Sequence, residues 1–300
     1  MFFFKNIGKK QSGINLLIQG DFEKAAPFKV RVKNCFFFRT GYSGFFLFSR
    51  LQWNVGGFNM ERTLSAVESE QQRFITKTYS WMGLALLISA ATAFFTAQSI
   101  FVGNELTAFG LFLFGNKMMG FWIFAIAEIV LVLWLSSQIR KISLQTAIIG
   151  FIGYSVINGI TLSSIFIIYQ IESIAVAFLG TSAMFFIMAF YGATTKKNLA
   201  TFGRYLMMAL VGVIIVSLLE FVMAVFFHLN TTILDFLIAI ATVIIFTGLT
   251  AYDSQKVMKI AKNSNGNEDY QKVSIMAALE LYLDFINLFL MLLRLFGKRR

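Results

Sequence analysis

The sequence is poor in three residue types that often build catalytic or structural centres. Its 300 residues contain one cysteine, one histidine and one proline. A single cysteine, Cys35, excludes an internal disulfide framework and a cysteine-rich metal site. His228 ends a hydrophobic run, so we expect an interfacial residue rather than a metal ligand or a catalyst. Because Pro27 lies outside the long apolar runs, any helix bend must come from glycine or from inserted polar side chains.

Charged residues are also scarce, at 14%, whereas 57% of the residues are hydrophobic and the mean hydropathy is +0.71. These values lie outside the range of soluble domains, and several apolar runs exceed about 18 residues. The composition predicts an all-α membrane protein that crosses the lipid bilayer several times. The formal net charge of +11 does not indicate nucleic-acid binding, because the excess lies mostly in residues 1–59 and the other charges lie in short loops.

The motifs of soluble enzymes are missing as well. The sequence has no phosphate-binding loop, no dinucleotide fingerprint, no HExxH zinc motif and no nucleophile elbow. We therefore predict no cofactor and no enzymatic activity. One catalytic alternative remains open, because Asp253 and Asp284 are two aspartates on consecutive predicted helices, as in intramembrane proteases. Tyr252-Asp253 matches half of the presenilin-type context, whereas Asp284 follows Tyr282-Leu283.

Composition divides the chain into four parts. Residues 1–59 are phenylalanine-rich and basic, and the amino-acid composition changes abruptly at Met60. We interpret residues 1–59 as a non-native or disordered extension, with a segment on the membrane surface as the alternative. An amphipathic cytosolic lead-in (60–78), a transmembrane domain (79–296) and a basic tail (297–300) follow. The seven predicted spans are 79–101, 119–137, 146–168, 174–193, 205–227, 233–253 and 275–296.

The orientation of the spans follows from lysine and arginine in the connections. Basic residues precede the first span and follow the second, fourth and sixth, whereas the alternate connections carry almost none. The positive-inside rule then predicts a cytosolic N-terminus. Seven full crossings would place the basic tail outside, although its charge favours the cytosol. If instead the last span does not fully cross, the tail stays on the cytosolic side, and the sequence leaves both placements open.

The last predicted span differs from the others by a polar stripe. It extends about 33 Å from Lys272 to Arg294, which matches the hydrocarbon thickness of a bilayer and puts Asp284 near its middle. Glu280, Asp284 and Asn287 share one helix face, which Arg294 continues. A carboxylate at this depth costs about 2.5–3.5 kcal/mol. We therefore expect this helix at the centre of the bundle, with its stripe on an ion or proton path.

Other polar residues within the spans could line the same interior. Alternatively, the carboxylates among these residues could be protonated or paired with a cation. The hydroxyl and amide groups among them could simply form hydrogen bonds to neighbouring helices, at about 0.6 kcal/mol each. The carboxylates are Glu128, Glu220 and Asp253, and the other groups are Ser155, Asn158, Thr161, Thr247 and Thr250.

Two stretches near the C-terminal end, AYDSQK (251–256) and LYLDFINLFLMLLRLFG (281–297), resemble the Bax inhibitor family, also called transmembrane Bax-inhibitor-motif proteins. The bacterial members are the most similar. NGITLSSI (158–165) and GATTKKNL (192–199) resemble two further motifs of the family, and the likeness covers roughly residues 70–300. The resemblance implies seven helices with the last one central, and a pH-sensitive calcium leak in a bacterial plasma membrane.

Residue by residue, the resemblance places the two-aspartate pH sensor of the family on Asp253 and Asp284. It places a second-helix acid and arginine that contact this sensor on Glu128 and Arg140. Two adjacent carboxylates in a low dielectric cannot both ionise easily, so they would share a proton and titrate as a pair. Calcium prefers oxygen ligands, so the pair would also bind calcium transiently. Secondary candidates for lining the pore are Glu280, Asn287, Glu220, Asn158, Thr161 and Thr250.

The pairing of the two aspartates faces a physical difficulty. Asp253 lies three residues before Lys256, near the cytosolic interface, whereas Asp284 lies at mid-membrane. They can meet if the sixth helix sits deep, if a vestibule reaches inward, or if the helix continues through VMKIAK (257–262).

Two functions follow as alternatives to proteolysis. The first is a calcium leak channel or proton-coupled calcium exchanger, whose partners are calcium ions and protons. The second is a membrane scaffold that regulates a membrane protease or a cell-survival partner by contact.

Overall fold

A computed structural model describes residues 60–102, 105–115, 118–139, 141–227, 230–263 and 267–300, with side chains from Glu68 onward. Residues 69–300 form one compact unit. The predictions made for residues 1–59, which include Cys35 and Pro27, lie outside the described residues. The same holds for Arg140 and His228.

Seven long helices make up most of the described chain, together with one short helix and one short hairpin. The seven long helices are all apolar enough to cross a membrane, so the predicted all-α membrane protein with seven spans is confirmed. Strands β1 (Phe101–Val102) and β2 (Glu105–Leu106) pair antiparallel. The helices are α1 (Met60–Ile100), α2 (Ala108–Phe114), α3 (Met119–Gln138), α4 (Leu144–Ile168), α5 (Ile171–Thr194), α6 (Ala200–Phe226), α7 (Thr232–Ala261) and α8 (Glu268–Phe296).

Several helices continue beyond the apolar runs that predicted them. The sixth span was predicted to end at residue 253, but α7 runs on to Ala261, because VMKIAK contains no glycine or proline that would end a helix. Hydropathy marks where a helix becomes too polar for lipid, and the helix itself ends later. Of the three ways in which Asp253 could meet Asp284, the continuation of this helix is therefore present in the structure.

Helix α8 is the centre of the bundle, as predicted. About 67% of its apolar span is buried inside the protein, whereas the other six spans are at most 44% buried. It packs against α4, α5 and α7, and hydrogen bonds also connect it to α1. Its buried side chains include Ile275, Leu279, Leu281, Tyr282, Asp284, Leu288 and Leu293.

Two glycines allow helix backbones to approach closely beside this core. A Cβ atom added at Gly192 on α5 would overlap the carbonyl oxygen of Ala251 on α7. A Cβ atom added at Gly159 on α4 would lie 2.7 Å from the carbonyl oxygen of Ser89 on α1. Small residues at helix contacts are the usual means of close packing in lipid. The Gly192 contact fixes α7 against α5 two residues before Asp253.

The basic tail pairs with the connection between α4 and α5. The backbone N–H of Gln170 donates to the Lys298 carbonyl oxygen, and the N–H of Arg300 donates to the Ile168 carbonyl oxygen, both at 3.0 Å. The N–H of Lys298 donates to Ser173 Oγ at 3.0 Å. Helix α8 therefore runs the full length of the bundle, and its tail lies at the end where α4 finishes and α5 begins.

Candidate functional site

Asp253 and Asp284 meet between α7 and α8. Their carboxyl groups lie within hydrogen-bonding reach of each other, and a hydrogen bond between them needs a proton on one of the two. Asp284 is only 4% exposed, and Asp253 is half-buried. Within the described part of the chain, the Oδ2 atom of Asp284 is buried without a hydrogen-bond partner. The structure thus brings the two residues that the sequence suggested together as a carboxyl pair at the core of the bundle, the arrangement in which two carboxyl groups are able to share one proton.

An ion pair lies one helical turn from the aspartates. Lys256 Nζ donates to both carboxylate oxygens of Glu280, at 2.8 and 2.7 Å. The side chain of Lys256 is 41% exposed and that of Glu280 is 27% exposed. Lys256 follows Asp253 by three residues and Glu280 precedes Asp284 by four, so the carboxyl pair and the ion pair are neighbouring contacts along the α7–α8 interface.

A third polar contact joins the same two helices near their other ends. Arg294 on α8 forms an ion pair with Asp235 on α7, and its Nε donates to Asp235 Oδ2 at 3.0 Å. Glu280, Asp284 and Arg294, which share a stripe in the sequence, therefore all face α7. Asn287 belongs to the same stripe, but its amide donates to the Leu283 carbonyl oxygen of its own helix.

Several of the secondary candidates form hydrogen bonds within their own helices instead of with the aspartates. The hydroxyls of Thr247 and Thr250 donate to carbonyl oxygens four residues earlier in α7, and Ser155 does the same in α4. Glu220 is half-buried on α6. It lies 17 residues, or about 25 Å of helix, from Gly203, which faces the ring of Tyr252. The structure therefore places Glu220 far from the carboxyl pair.

Glu128 belongs to a second polar network. Thr161 Oγ1 donates to Glu128 Oε1 at 2.5 Å, and Asn158 Nδ2 donates to Glu128 Oε2 at 3.3 Å. The resemblance implied that this acid contacts the aspartates, but its hydrogen bonds go to α4. The reason is that Asn158 and Thr161 are three residues apart and so present both donors on the helix face toward α3.

Tyr282 connects this second network to the centre of the bundle. Its hydroxyl is fully buried, donates to Asn158 Oδ1 at 2.7 Å and lies 2.7 Å from Ser89 Oγ. Ser89 Oγ also lies 2.7 Å from the Ser155 carbonyl oxygen. These three contacts involve two hydroxyl groups, those of Tyr282 and Ser89. Together the contacts connect α1, α4 and α8. Sequence reasoning missed this role, although a buried tyrosine in an apolar helix usually requires a partner for its hydroxyl.

Gln255, which the sequence did not single out, fixes the connection between α5 and α6 to α7. Its Nε2 donates to the Lys197 carbonyl oxygen at 2.7 Å, and its Oε1 accepts from the Leu199 N–H at 2.9 Å. Both partners lie in the GATTKKNL stretch. The side chain is buried two residues after Asp253, so it holds this connection beside the carboxyl pair.

Replacing Tyr282 with phenylalanine should destabilise the protein by about 1–3 kcal/mol, because Asn158 and Ser89 would lose a buried partner. The Tm of the variant in detergent micelles is the measurement, and it should be lower than that of the wild type. Tyr79→Phe is the matched control, since that hydroxyl is half-buried and donates only to Ser254, at 3.2 Å. Equal losses of Tm in the two variants would contradict a special role for the Tyr282 hydroxyl.

The fold and the site define a membrane protein with seven spans and a carboxyl pair between its last two helices. The chain belongs to the Bax inhibitor family: the family described as "Inhibitor of apoptosis-promoting Bax1" matches residues 71–300. The chain is 42% identical to "Inner membrane protein YbhL" of Escherichia coli over 231 residues, which cover 76% of this chain and 93% of the relative. It is 41% identical to an uncharacterised protein of Borreliella burgdorferi, over 77% of this chain and 94% of the relative.

Proposed function

We propose that the protein is a pH-sensitive calcium leak channel, or a proton-coupled calcium exchanger, in a bacterial plasma membrane. The observation that carries this proposal is the close approach of the Asp253 and Asp284 carboxyl groups inside an apolar bundle, which favours one proton shared between them. Loss of that proton adds a full negative charge where charge is expensive. Two like charges at this distance repel, so the contact between α7 and α8 would depend on pH. The name of the Escherichia coli relative supports an inner-membrane location.

Calcium fits the same oxygen atoms as the proton. Carboxylates are preferred calcium ligands, and Asp253 and Asp284 supply two of them. A calcium ion bound between Asp253 and Asp284 would replace the shared proton, because both need the same lone pairs. Competition between the two cations therefore links calcium passage to pH, and we propose transport rather than catalysis.

Calcium flux into liposomes that contain only the purified protein would test this function. We expect dye-detected calcium entry that changes with pH across about pH 5 to 8, and no entry in protein-free liposomes. Absence of flux from folded protein would contradict the proposal and favour a scaffold that regulates a membrane protease or a survival partner by contact. Cleavage of a membrane substrate without flux would favour the protease.

We further propose that the N-terminus is cytosolic, because Lys and Arg are concentrated in alternate connections. The end of α7 at Ala261 then lies on the cytosolic side and the basic tail lies outside. A Lys298→Cys variant that also carries Cys35→Ser should react with a membrane-impermeant thiol reagent added to intact spheroplasts. Reaction only after the membrane is permeabilised would reverse this orientation.

A further inference from the structure

A polar cleft of about 740 Å³ lies between α1 and α8, at the end of the bundle where α8 begins. Residues between 69 and 80 form its α1 side, and Tyr270, Gln271 and Ser274 form its α8 side. Across the cleft, Lys77 Nζ donates to Gln271 Oε1 at 2.9 Å. A second hydrogen bond between these helices, from Ser89 to Tyr282, lies about 18 Å deeper along α1. The two walls of the cleft are therefore fixed to each other by hydrogen bonds.

The cleft lies at the level where lipid headgroups are expected. Arg73 and Lys77 come six and two residues before residue 79, where the first apolar span was predicted to begin. Their backbones are therefore about 9 and 3 Å outside the hydrocarbon layer. On the other wall, Tyr270 precedes the last predicted span, and tyrosine is enriched at the interface between membrane and water. A lipid can thus reach the cleft without leaving the bilayer.

Basic side chains in the cleft are available to an anion. Arg73 pairs with Glu70, which also lines the cleft, but the arginine side chain is 77% exposed and an exposed ion pair contributes little. A phosphate can therefore replace Glu70. Lys77 is in none of the ion pairs formed by the described residues. On the α8 side, Asp269 is already paired with Lys272. Arginine and lysine are the two side chains that bind phosphate best.

The helix face that carries these basic residues becomes apolar below the cleft. Steps of four and three residues connect the members of this face, which places them on one side of α1. Its two leucines are 43% and 70% exposed, and the deeper one lies about 10 Å below the serine. Phosphate-binding groups therefore stand above an exposed apolar track at the depth of acyl chains, which suits an amphiphile rather than a free anion. The members of the face are Arg73, Lys77, Ser80, Leu84 and Leu87.

We propose that the cleft between α1 and α8 binds the phosphate headgroup of an anionic phospholipid, whose acyl chain lies along Leu84 and Leu87. Basic pockets between membrane helices recognise such headgroups. Arg73 holds the phosphate through two N–H groups, and Lys77 adds a point charge. The bound lipid connects α1 to the central helix of the bundle. This inference goes beyond the proposed function and is independent of whether the protein moves an ion.

The Tm of the purified full chain in detergent, titrated with dioleoylphosphatidylglycerol, tests this site. A ligand that binds only the folded state raises Tm, and the concentration dependence reports its affinity. We expect this lipid to raise Tm, and we expect dioleoylphosphatidylcholine and inorganic phosphate to have little effect. Arg73→Gln and Lys77→Gln should each weaken binding about fivefold, and the double variant about 25-fold.

The matched control combines Lys259→Gln with Lys262→Gln, which removes two positive charges from the same end of the bundle outside the cleft. It should bind the lipid like the wild type. An equal loss of affinity in this control would show that only general surface charge attracts the lipid, and would overturn the inference. Equal stabilisation by inorganic phosphate would overturn it too, because the site would then take a free anion.

A second variant keeps the test decisive if the double variant does not fold. Ser80 is exposed and lines the cleft, so Ser80→Glu adds a carboxylate there without removing a buried side chain. The added negative charge should repel the phosphate and weaken lipid binding. Unchanged binding in a folded Ser80→Glu variant would contradict a headgroup site between α1 and α8.

Discussion

Calcium flux through the Asp284→Asn or Asp253→Asn variant should lose most of its dependence on pH. Asparagine keeps the volume of aspartate, and its amide can donate a hydrogen bond to the remaining carboxylate. The variant should therefore fold with the contact between α7 and α8 intact. It lacks the shared proton, however, so the contact no longer changes charge with pH. Flux into liposomes would be measured across about pH 5 to 8.

The double variant separates a shared proton from two independent groups. Because the two carboxyl groups act as a unit, the second substitution should add little to the first. Glu128→Gln is the control, since Glu128 bonds to α4 and should leave the pH profile intact. Two single variants with the wild-type profile would move the sensor to another acid. A changed profile in Asp284→Asn alone would exclude Asp253 from the mechanism.

Adding one methyl group at Gly192 should destabilise the bundle by about 1–3 kcal/mol or more. The new Cβ atom would overlap the carbonyl oxygen of Ala251, which is backbone and cannot turn aside, so α5 and α7 would have to separate. Because this contact lies two residues before Asp253, the carboxyl pair would shift as well. A lower Tm and a smaller folded fraction in detergent would be the measured effects of Gly192→Ala.

Gly180→Ala provides the comparison on the same helix. A Cβ atom at Gly180 meets nothing within 4 Å, and alanine favours a helix over glycine by about 1 kcal/mol. We expect this variant to be as stable as the wild type or slightly more stable. If the two variants lose the same amount of stability, the close approach of α5 and α7 does not limit the fold.

Hydropathy and one polar stripe were sufficient to predict the spans and the central position of α8. The length of an apolar run gives the length of the membrane span directly. A carboxylate at mid-membrane depth has to be enclosed by protein, so Asp284 alone predicted that its helix lies inside the bundle. The sequence placed Asp253 too close to the interface because the apolar run ends there. In the structure α7 continues eight residues further, and the two aspartates meet.

The partners of the polar side chains could not be predicted in the same way. Periodicity says which residues share a face, but the rotation of each helix about its axis decides which neighbour that face meets. The sequence therefore suggested one polar interior, whereas Glu128 and Asn158 form a network with Tyr282 that is separate from the aspartates. Likewise, Lys256 forms its ion pair with Glu280 and not with Asp253, and this pairing depends on distances across the α7–α8 interface.

The central helix of this bundle comes after all the helices that surround it in chain order. The other six spans, α1 and α3 to α7, leave the ribosome before α8, while Ser89, Asn158 and Asp253 still lack the partners that α8 supplies. The nascent protein must therefore pass through a stage in which six spans surround an unfilled centre. During biosynthesis the core is completed only when α8 enters, so a cell that monitors membrane-protein quality would find this chain most vulnerable before that helix has inserted.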